Sequence, residues 1–180
     1  MTHDDDDAGP RLRRANVDDV AALAAITIGT FTETFGHLYP AADLQAYLAK
    51  FSVDHCRKQL ADPHSAIWFA TARNHNNGEE VVGFVYAGRC QLPVEQLEPR
   101  AGEVKQLYLY ASCQNQKLGA RLMDTAMAWL EAQNLSPLYV GVWSENFGAQ
   151  RFYARYGFSK AGEYGFAVGN TIDHEFILKR

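Results

Sequence analysis

A polar turn, Gln114-Asn115-Gln116-Lys117-Leu118-Gly119, stands directly ahead of apolar residues at Leu118, Leu122, Ala126 and Leu130. That recurrence is one face of a helix, so the turn is also a helix N-terminus. The first N–H groups of a helix lack intrahelical partners and carry a partial positive charge. A pyrophosphate or another anion fits such a cradle, and the Lys117 ammonium adds charge. Further on, Ala149, Phe152, Tyr153 and Tyr156 recur at i, i+3, i+4, i+7 behind Asn146, and Gly157 stops the pattern with Phe158 placed to pack back on it.

Other anion-binding designs are excluded. The first strand and helix lack a Gly-x-Gly-x-x-Gly turn with an acidic residue about 20 positions on, so a dinucleotide fold is not indicated. Lys117 has no spaced glycine pair before it and no Ser or Thr after it, which rules out a Walker turn and its magnesium site. Cys56, Cys90 and Cys113 have neither metal nor disulfide spacing, and no histidine pair has a zinc-ligand spacing. No metal is expected, and a reducing cytoplasm fits the cysteine usage.

The elements around these residues alternate between β and α. Leu12 to Ala15 reads as a short strand, followed by a helix capped by Asn16 or Asp18 with Val20, Leu23 and Ile26 on its apolar face. Phe31 to Tyr39 reads as aromatic and irregular. Helical patterns follow at Asp43 to Leu48 and, behind Ser52, at Val53 to Leu60. Ile67 to Thr71 and Val81 to Ala87 read as strands joined through Asn76-Asn77-Gly78, residues that tolerate positive φ. After a loop, Gly88 to Gly102, come a strand at Val104 to Tyr110, the cradle helix from Leu118 to about Gln133, and a strand at Leu138 to Trp143 whose unbroken apolar run predicts burial on both faces. The C-terminus supplies one or two strands, Ile172 to Leu178 being the clearer. The expected product is one mixed, mostly antiparallel sheet with helices on both faces.

With 180 residues and 47% hydrophobic content the chain supports one substantial core, expected over residues 11–180. Asp4, Asp5, Asp6 and Asp7 account for the whole excess of 21 acidic over 17 basic residues. Residues 1–10 are therefore expected to be a solvated, disordered acidic tail. The rest is near neutral, which argues against nucleic acid as a partner. No apolar stretch is long enough for a membrane span.

The motifs resemble those of the GNAT acetyltransferase superfamily. Gln114-x-x-Lys117-x-Gly119-Ala120 is similar to its acetyl-CoA turn, usually Gln or Arg, two residues, Gly, one residue, then Gly or Ala. Asn146-x-x-Ala149-x-x-Phe152-Tyr153-x-x-x-Gly157-Phe158 is similar to its second cofactor motif. Thr30-Phe31-x-x-Thr34-Phe35, Glu103 to Leu109, Gly141-Val142-Trp143 and Val168-Gly169 followed by Asp173 resemble the PaiA-type polyamine acetyltransferase subgroup. Lys117 departs from the pattern, standing where the first glycine belongs. The turn is expected to work if Lys117 keeps negative φ and donates its N–H.

The resemblance implies a GNAT fold with splayed central strands, acetyl-CoA as co-substrate, and transfer of its acetyl group to a primary amine by direct attack in a ternary complex. Cofactor contacts would come from Leu107, Tyr108, Leu109, Gln114, Asn115, Gln116, Lys117, Leu118, Gly119, Ala120, Asn146, Ala149, Tyr153 and Arg155. An amine protonated at neutral pH needs a base before it attacks, and the resemblance supports Glu103. The tetrahedral oxyanion needs a donor, by family geometry a backbone N–H of Leu107 to Tyr110. The CoA thiolate leaves more easily when an acid delivers a proton, and the place of Tyr153 in the second motif fits that task. Phe31, Phe35, Tyr39 and Trp143 are candidates to line an alkyl slot, with Glu33, Glu145 and Asp173 to hold a distal ammonium. The rival readings are a CoA-binding sensor without catalysis and an acetyltransferase of protein N-termini or lysines. A homodimer is compatible with the resemblance.

Overall fold

The computed structural model describes residues 9–73 and 78–180. The acidic run Asp4 to Asp7 and the Asn76-Asn77 part of the expected hairpin turn lie outside them. The described strands are β1 (Arg11–Arg14), β2 (Ser65–Arg73), β3 (Glu79–Arg89), β4 (Gly102–Leu109), β5 (Leu138–Trp143), β6 (Ser159–Val168) and β7 (Thr171–Lys179). The helices are α1 (Val20–Phe35), α2 (Ala41–Leu48), α3 (Val53–Ala61), α4 (Leu118–Ala132) and α5 (Phe147–Arg155).

Local chemistry sets most boundaries. The Asn16 side chain accepts from Asp18 N–H while Asp19 reaches back to Asn16 N–H, a capping box over a short turn that leads into α1. Arg13 grips the same Asp19 with two bonds of 2.8 Å, tying β1 to that turn. Ser52 caps α3 by accepting from His55 N–H. Asn146 caps α5 by accepting from Ala149 N–H at 3.0 Å, and Gly157 closes that helix at φ +84°.

One expectation needs correction. Phe31 to Phe35 is not irregular: α1 continues through Phe35, because its inner face buries Thr27, Thr30 and Phe31, and only Gly36–Leu38 forms a tighter turn. Of the one or two strands expected at the C-terminus the structure has two, β6 being the outermost strand of the sheet.

The strands run in the order β1-β2-β3-β4-β5-β7-β6 and all neighbours are antiparallel except β4 and β5. α4 crosses β2, β3 and β4, and its residues Leu118, Leu122, Met123, Ala126 and Leu130 form a core with Val104, Val140 and Val142 that also includes Tyr153 of α5. α1 and α3 cover the other face over Ile67, Phe69 and Phe84. α2 packs Tyr47 with Phe31, Phe51 and Val168 beyond the end of that face.

The parallel pair is short. Its register is Gly102 with Leu138 and Glu103 with Tyr139, and it goes no further. Beyond Glu103, β4 follows β3 while β5 follows β7, so the two central strands part and the sheet has a V-shaped opening in its middle. A register shift between Tyr86 and Ala87 places a bulge at Lys105, at the base of the opening.

Candidate active site

The opening is part of a cleft of about 690 Å³. On the β4 side it is lined by Glu103 to Leu109, on the β5 side by Val140 to Trp143, and at one end by Gln114, Asn115, Lys117, Gly119 and Ala120. A strand hydrogen-bonds alternate backbone groups to each side. The β4 groups that face β5 above Glu103 therefore have no strand partner, and the Gln114 amide donates to the Leu109 carbonyl there at 3.3 Å.

The α4 N-terminus supplies the anion cradle. Asn115 and Lys117 have φ of +60° and +61°, so Lys117 is left-handed and not extended, contrary to expectation. It takes the conformation that glycine adopts freely, at a cost of roughly 1–2 kcal/mol for an L-residue. The helix starts at Leu118 with Lys117 making no side-chain cap, and Arg121 N–H is the amide that returns to the Lys117 carbonyl. The amides from Lys117 to Ala120 are thus free to face a ligand. A Cβ added at Gly119 would meet only Leu109 Cδ1 at 3.4 Å, so the approach is open. These features fit a diphosphate.

Not every expected contact lines the cleft. Gln116 is exposed and donates its amide to the Ser112 carbonyl, and the Leu118 side chain is buried in the core, leaving its N–H as its one possible contribution. Asn146, Ala149, Tyr153 and Arg155 all border the cleft. Tyr153 is 7% exposed, and its hydroxyl has no hydrogen-bond partner among the described residues. Burial, with the nearby Glu175 carboxylate, pushes its ionisation far above the ordinary phenol range, so it remains a proton donor at neutral pH.

Glu103 is no exposed strand-end carboxylate. It is buried, its Oε2 accepts from Gln91 N–H at 2.8 Å, and Lys105 Nζ lies 3.3 Å away. Glu33 and Glu145 do not reach the cleft. Glu33 accepts from Ala111 N–H at 2.8 Å on the outside, because the turn of α1 that carries it faces the loop after β4, and Glu145 is exposed.

The aromatic slot is present. Phe31, Phe35, Tyr39 and Trp143 border the cleft, with Phe35 edge-on to both Tyr108 and Trp143. Its floor holds two carboxylates, Asp173, which accepts from the Tyr39 hydroxyl, and Glu175, which accepts from the Tyr164 hydroxyl at 2.5 Å. Glu175, Tyr164, Tyr47 and Phe166 were not anticipated. The signal for Glu175 was available: Asp173 and Glu175 sit two apart in a strand, so both acids must share one face.

Among the described residues no cluster of His, Cys, Asp and Glu could hold a metal, and no helix is long and apolar enough to cross a membrane.

Comparison with known proteins agrees with this geometry. The Acetyltransferase (GNAT) family matches residues 22–158. An uncharacterised N-acetyltransferase from the pepI 3′ region of Lactobacillus delbrueckii subsp. lactis is 28% identical over 173 residues, 96% of this chain and 97% of its own. An uncharacterised N-acetyltransferase of Mycobacterium tuberculosis is 28% identical over 170 residues, covering 92% and 97%. Among solved structures, the PaiA N-acetyltransferase of Thermoplasma acidophilum in complex with coenzyme A superposes with a TM-score of 0.72 at 15% identity, over 96% of this chain and 98% of that one. NAA60 of Arabidopsis thaliana in complex with acetyl-CoA gives 0.68 at 14% identity over the same shares. Cradle, parted strands and family match converge: the chain belongs to the GNAT acetyltransferase family and is an acetyl-CoA-dependent acyltransferase.

Proposed function

We propose that the protein transfers the acetyl group of acetyl-CoA to a primary amine of a small molecule, a polyamine of the PaiA type being the foremost class. The observation that carries this reading is the floor of the acceptor slot. Asp173 and Glu175 lie beneath an aromatic wall, and neither has an ion-pair partner among the described residues. Two unpaired carboxylates in an apolar slot are costly unless a cation meets them. An alkyl-ammonium satisfies both the wall and the floor. A slot closed by Phe31, Phe35 and Tyr39 suits a slender amine better than a broad peptide, which disfavours acetylation of protein N-termini or lysines.

The supporting roles follow from position. The amides of Lys117 to Ala120 hold the diphosphate of the co-substrate, and Asn146 lies where the second motif meets the pantetheine arm. The thioester supplies an activated acyl carbon. A β4 amide from Leu107 to Tyr110 stabilises the oxyanion, and Tyr153 delivers a proton to the departing sulfur. Glu103 closes the base of the opening, where its committed Oε2 holds the Gln91 backbone and Lys105. Residues 11–180 act as one catalytic domain.

The deciding experiment is free-thiol release from acetyl-CoA against spermidine, spermine, amino acids, aminoglycosides and peptides. Polyamines are expected to give the highest kcat/KM. A preference for peptides, or no release by any acceptor despite CoA binding, would overturn the reading.

A further inference from the structure

The register of the sheet separates buried Glu103 and half-buried Glu175 along the length of the cleft. Glu103 is opposite Tyr139, where β4 and β5 still pair, whereas Glu175 is opposite Trp143, four residues further along β5. At about 3.3 Å per residue the Glu175 backbone lies ~13 Å beyond that of Glu103, level with the β4 amides near Leu107, and its carboxylate reaches back over Gly141. The reaction needs a base within hydrogen-bond reach of the amine. Glu103 stands at the closed end of the opening and Glu175 at the open end.

The faces are separated as well. Val140 and Val142 point into the α4 core that contains Tyr153, so Gly141 and Trp143 point the other way, and Glu175 pairs with Trp143 on that second face. Gly141 makes room there. A Cβ on it would lie 2.7 Å from the Tyr164 hydroxyl and 3.3 Å from Glu175 Oε2. The carboxylate therefore leans over β5 towards the opening. An acyl carbon held between the strands would have Tyr153 on one face of the sheet and Glu175 on the other, so that the incoming amine and the departing sulfur each meet a separate proton-transfer group.

We propose that Glu175 receives the ammonium of the acceptor and takes its proton before attack. The inference rests on the acetyl-transfer reading above and deepens it. The ammonium gives one proton to the Glu175 carboxylate, and the freed lone pair forms the C–N bond. The C–S bond breaks, the sulfur takes the Tyr153 proton, and the nitrogen loses a second proton as the amide forms. That second proton restores the phenol, and Glu175 returns the first to solvent, the one net proton of the reaction.

The surroundings of Glu175 support the role. Burial and neighbouring Asp173 raise its ionisation, while the Tyr164 hydrogen bond lowers it. The groups facing it are Tyr164 on β6, Asp173 on its own strand, Tyr39 after α1, Tyr47 on α2, Tyr108 on β4 and Tyr153 on α5. All are acids or phenols. The cations bordering the cleft are Lys105, paired with Glu103, and Lys117 and Arg155 beside the cradle.

The test is Glu175→Gln, which keeps an acceptor for the Tyr164 hydroxyl. Wild-type kcat/KM for spermidine is expected to rise with pH through a carboxylate limb above the ordinary Glu range and then level. The variant is expected to lose at least about 100-fold at pH 7, and its remaining rate to climb tenfold per pH unit towards the amine pKa. Acetyl-CoA affinity by calorimetry is expected to hold within threefold. Tyr164→Phe is expected to move the limb to higher pH. An E175Q rate within threefold of wild type with the same profile overturns the proposal. Spermidine binding in the presence of CoA, measured without turnover, is expected to weaken at least tenfold in E175Q, and unchanged binding also overturns it. That comparison decides the role of Glu175 even if wild type releases no thiol, a result that would instead sink the transfer reading.

Discussion

Lys117 occupies a backbone conformation that its side chain opposes. The sequence pattern identified the position, yet φ is not legible from residue type when a helix start forces the geometry. Replacement by glycine relieves roughly 1–2 kcal/mol of folded-state strain and returns about 0.5–1 kcal/mol of unfolded-chain entropy. Lys117→Gly is therefore expected to stabilise the protein by up to about 1 kcal/mol, measured by urea unfolding, with acetyl-CoA binding retained but more salt-tolerant because one ammonium is lost. Tyr153 is the complementary case. Tyr153→Phe preserves the packing against Phe152 and Phe158 and removes only the hydroxyl. Its turnover is expected to fall about 10²-fold with acetyl-CoA affinity nearly unchanged, the pattern of an interaction made in the transition state; unchanged turnover would remove Tyr153 from the role. That Tyr153 and Asn146 would border one cleft was legible because a helix repeat fixes neighbours in sequence. The spacing of Glu175 from Asp173 was readable too, but its place beside Gly141 was not, because that neighbour is brought to it only by folding.

Elements were legible where caps and periodicity agreed, as at Ser52 before α3 and across β5, whose expected span Leu138 to Trp143 is the observed one. They were obscure where propensity and burial conflict. Thr30 to Phe35 is a run of strand-favouring types that burial of Phe31 holds in a helix, and β6 carries Gly162 and Gly165 in a half-exposed outer strand. The joint between α2 and the β6–β7 hairpin was also invisible. Asp43 accepts from Asn170 N–H at 3.0 Å and from the Thr171 hydroxyl at 2.7 Å, which holds its carboxyl below the usual range. A depressed folded-state ionisation means the contribution is complete above the unfolded value of about 4 and lost as pH falls below it. Asp43→Asn is expected to lower Tm at pH 7 and to flatten its fall under acid, read by calorimetry. Gly169 turns this hairpin at φ +60°, and a Cβ there would sit 2.4 Å from Asp43 Cα. Gly169→Ala is expected to cost about 2–3 kcal/mol, a Tm loss of roughly 5–10 °C.

At the scale of the whole molecule, the two halves of the sheet share little hydrogen bonding. β1 to β4 form one ribbon, β5 to β7 another, and their direct register is the two-residue parallel pair at Glu103. The seam is reinforced at its closed end, where Gly102 N–H donates to the Pro137 carbonyl and Ser136 N–H to the Arg100 carbonyl. It is open at the end where α4 and α5 present the cradle and Asn146. A ligand reaching from the cradle along β4 towards β5 contacts both ribbons and binds only their assembled form. Stabilisation by such a ligand follows RT ln(1 + [L]/Kd), about 2.7 kcal/mol at 100 times Kd. Saturating CoA is therefore expected to raise Tm by roughly 5–10 °C. The location of the effect is the sharper measurement. Hydrogen exchange is expected to slow most at the β4 amides of Leu107 to Leu109, at β5, and at Lys117 to Ala120, with β1 and β2 changing little. Protection confined to the α4 turn would mean that the ligand docks by its phosphates without bridging the opening, and the acyl carbon would then have no defined place between Glu175 and Tyr153.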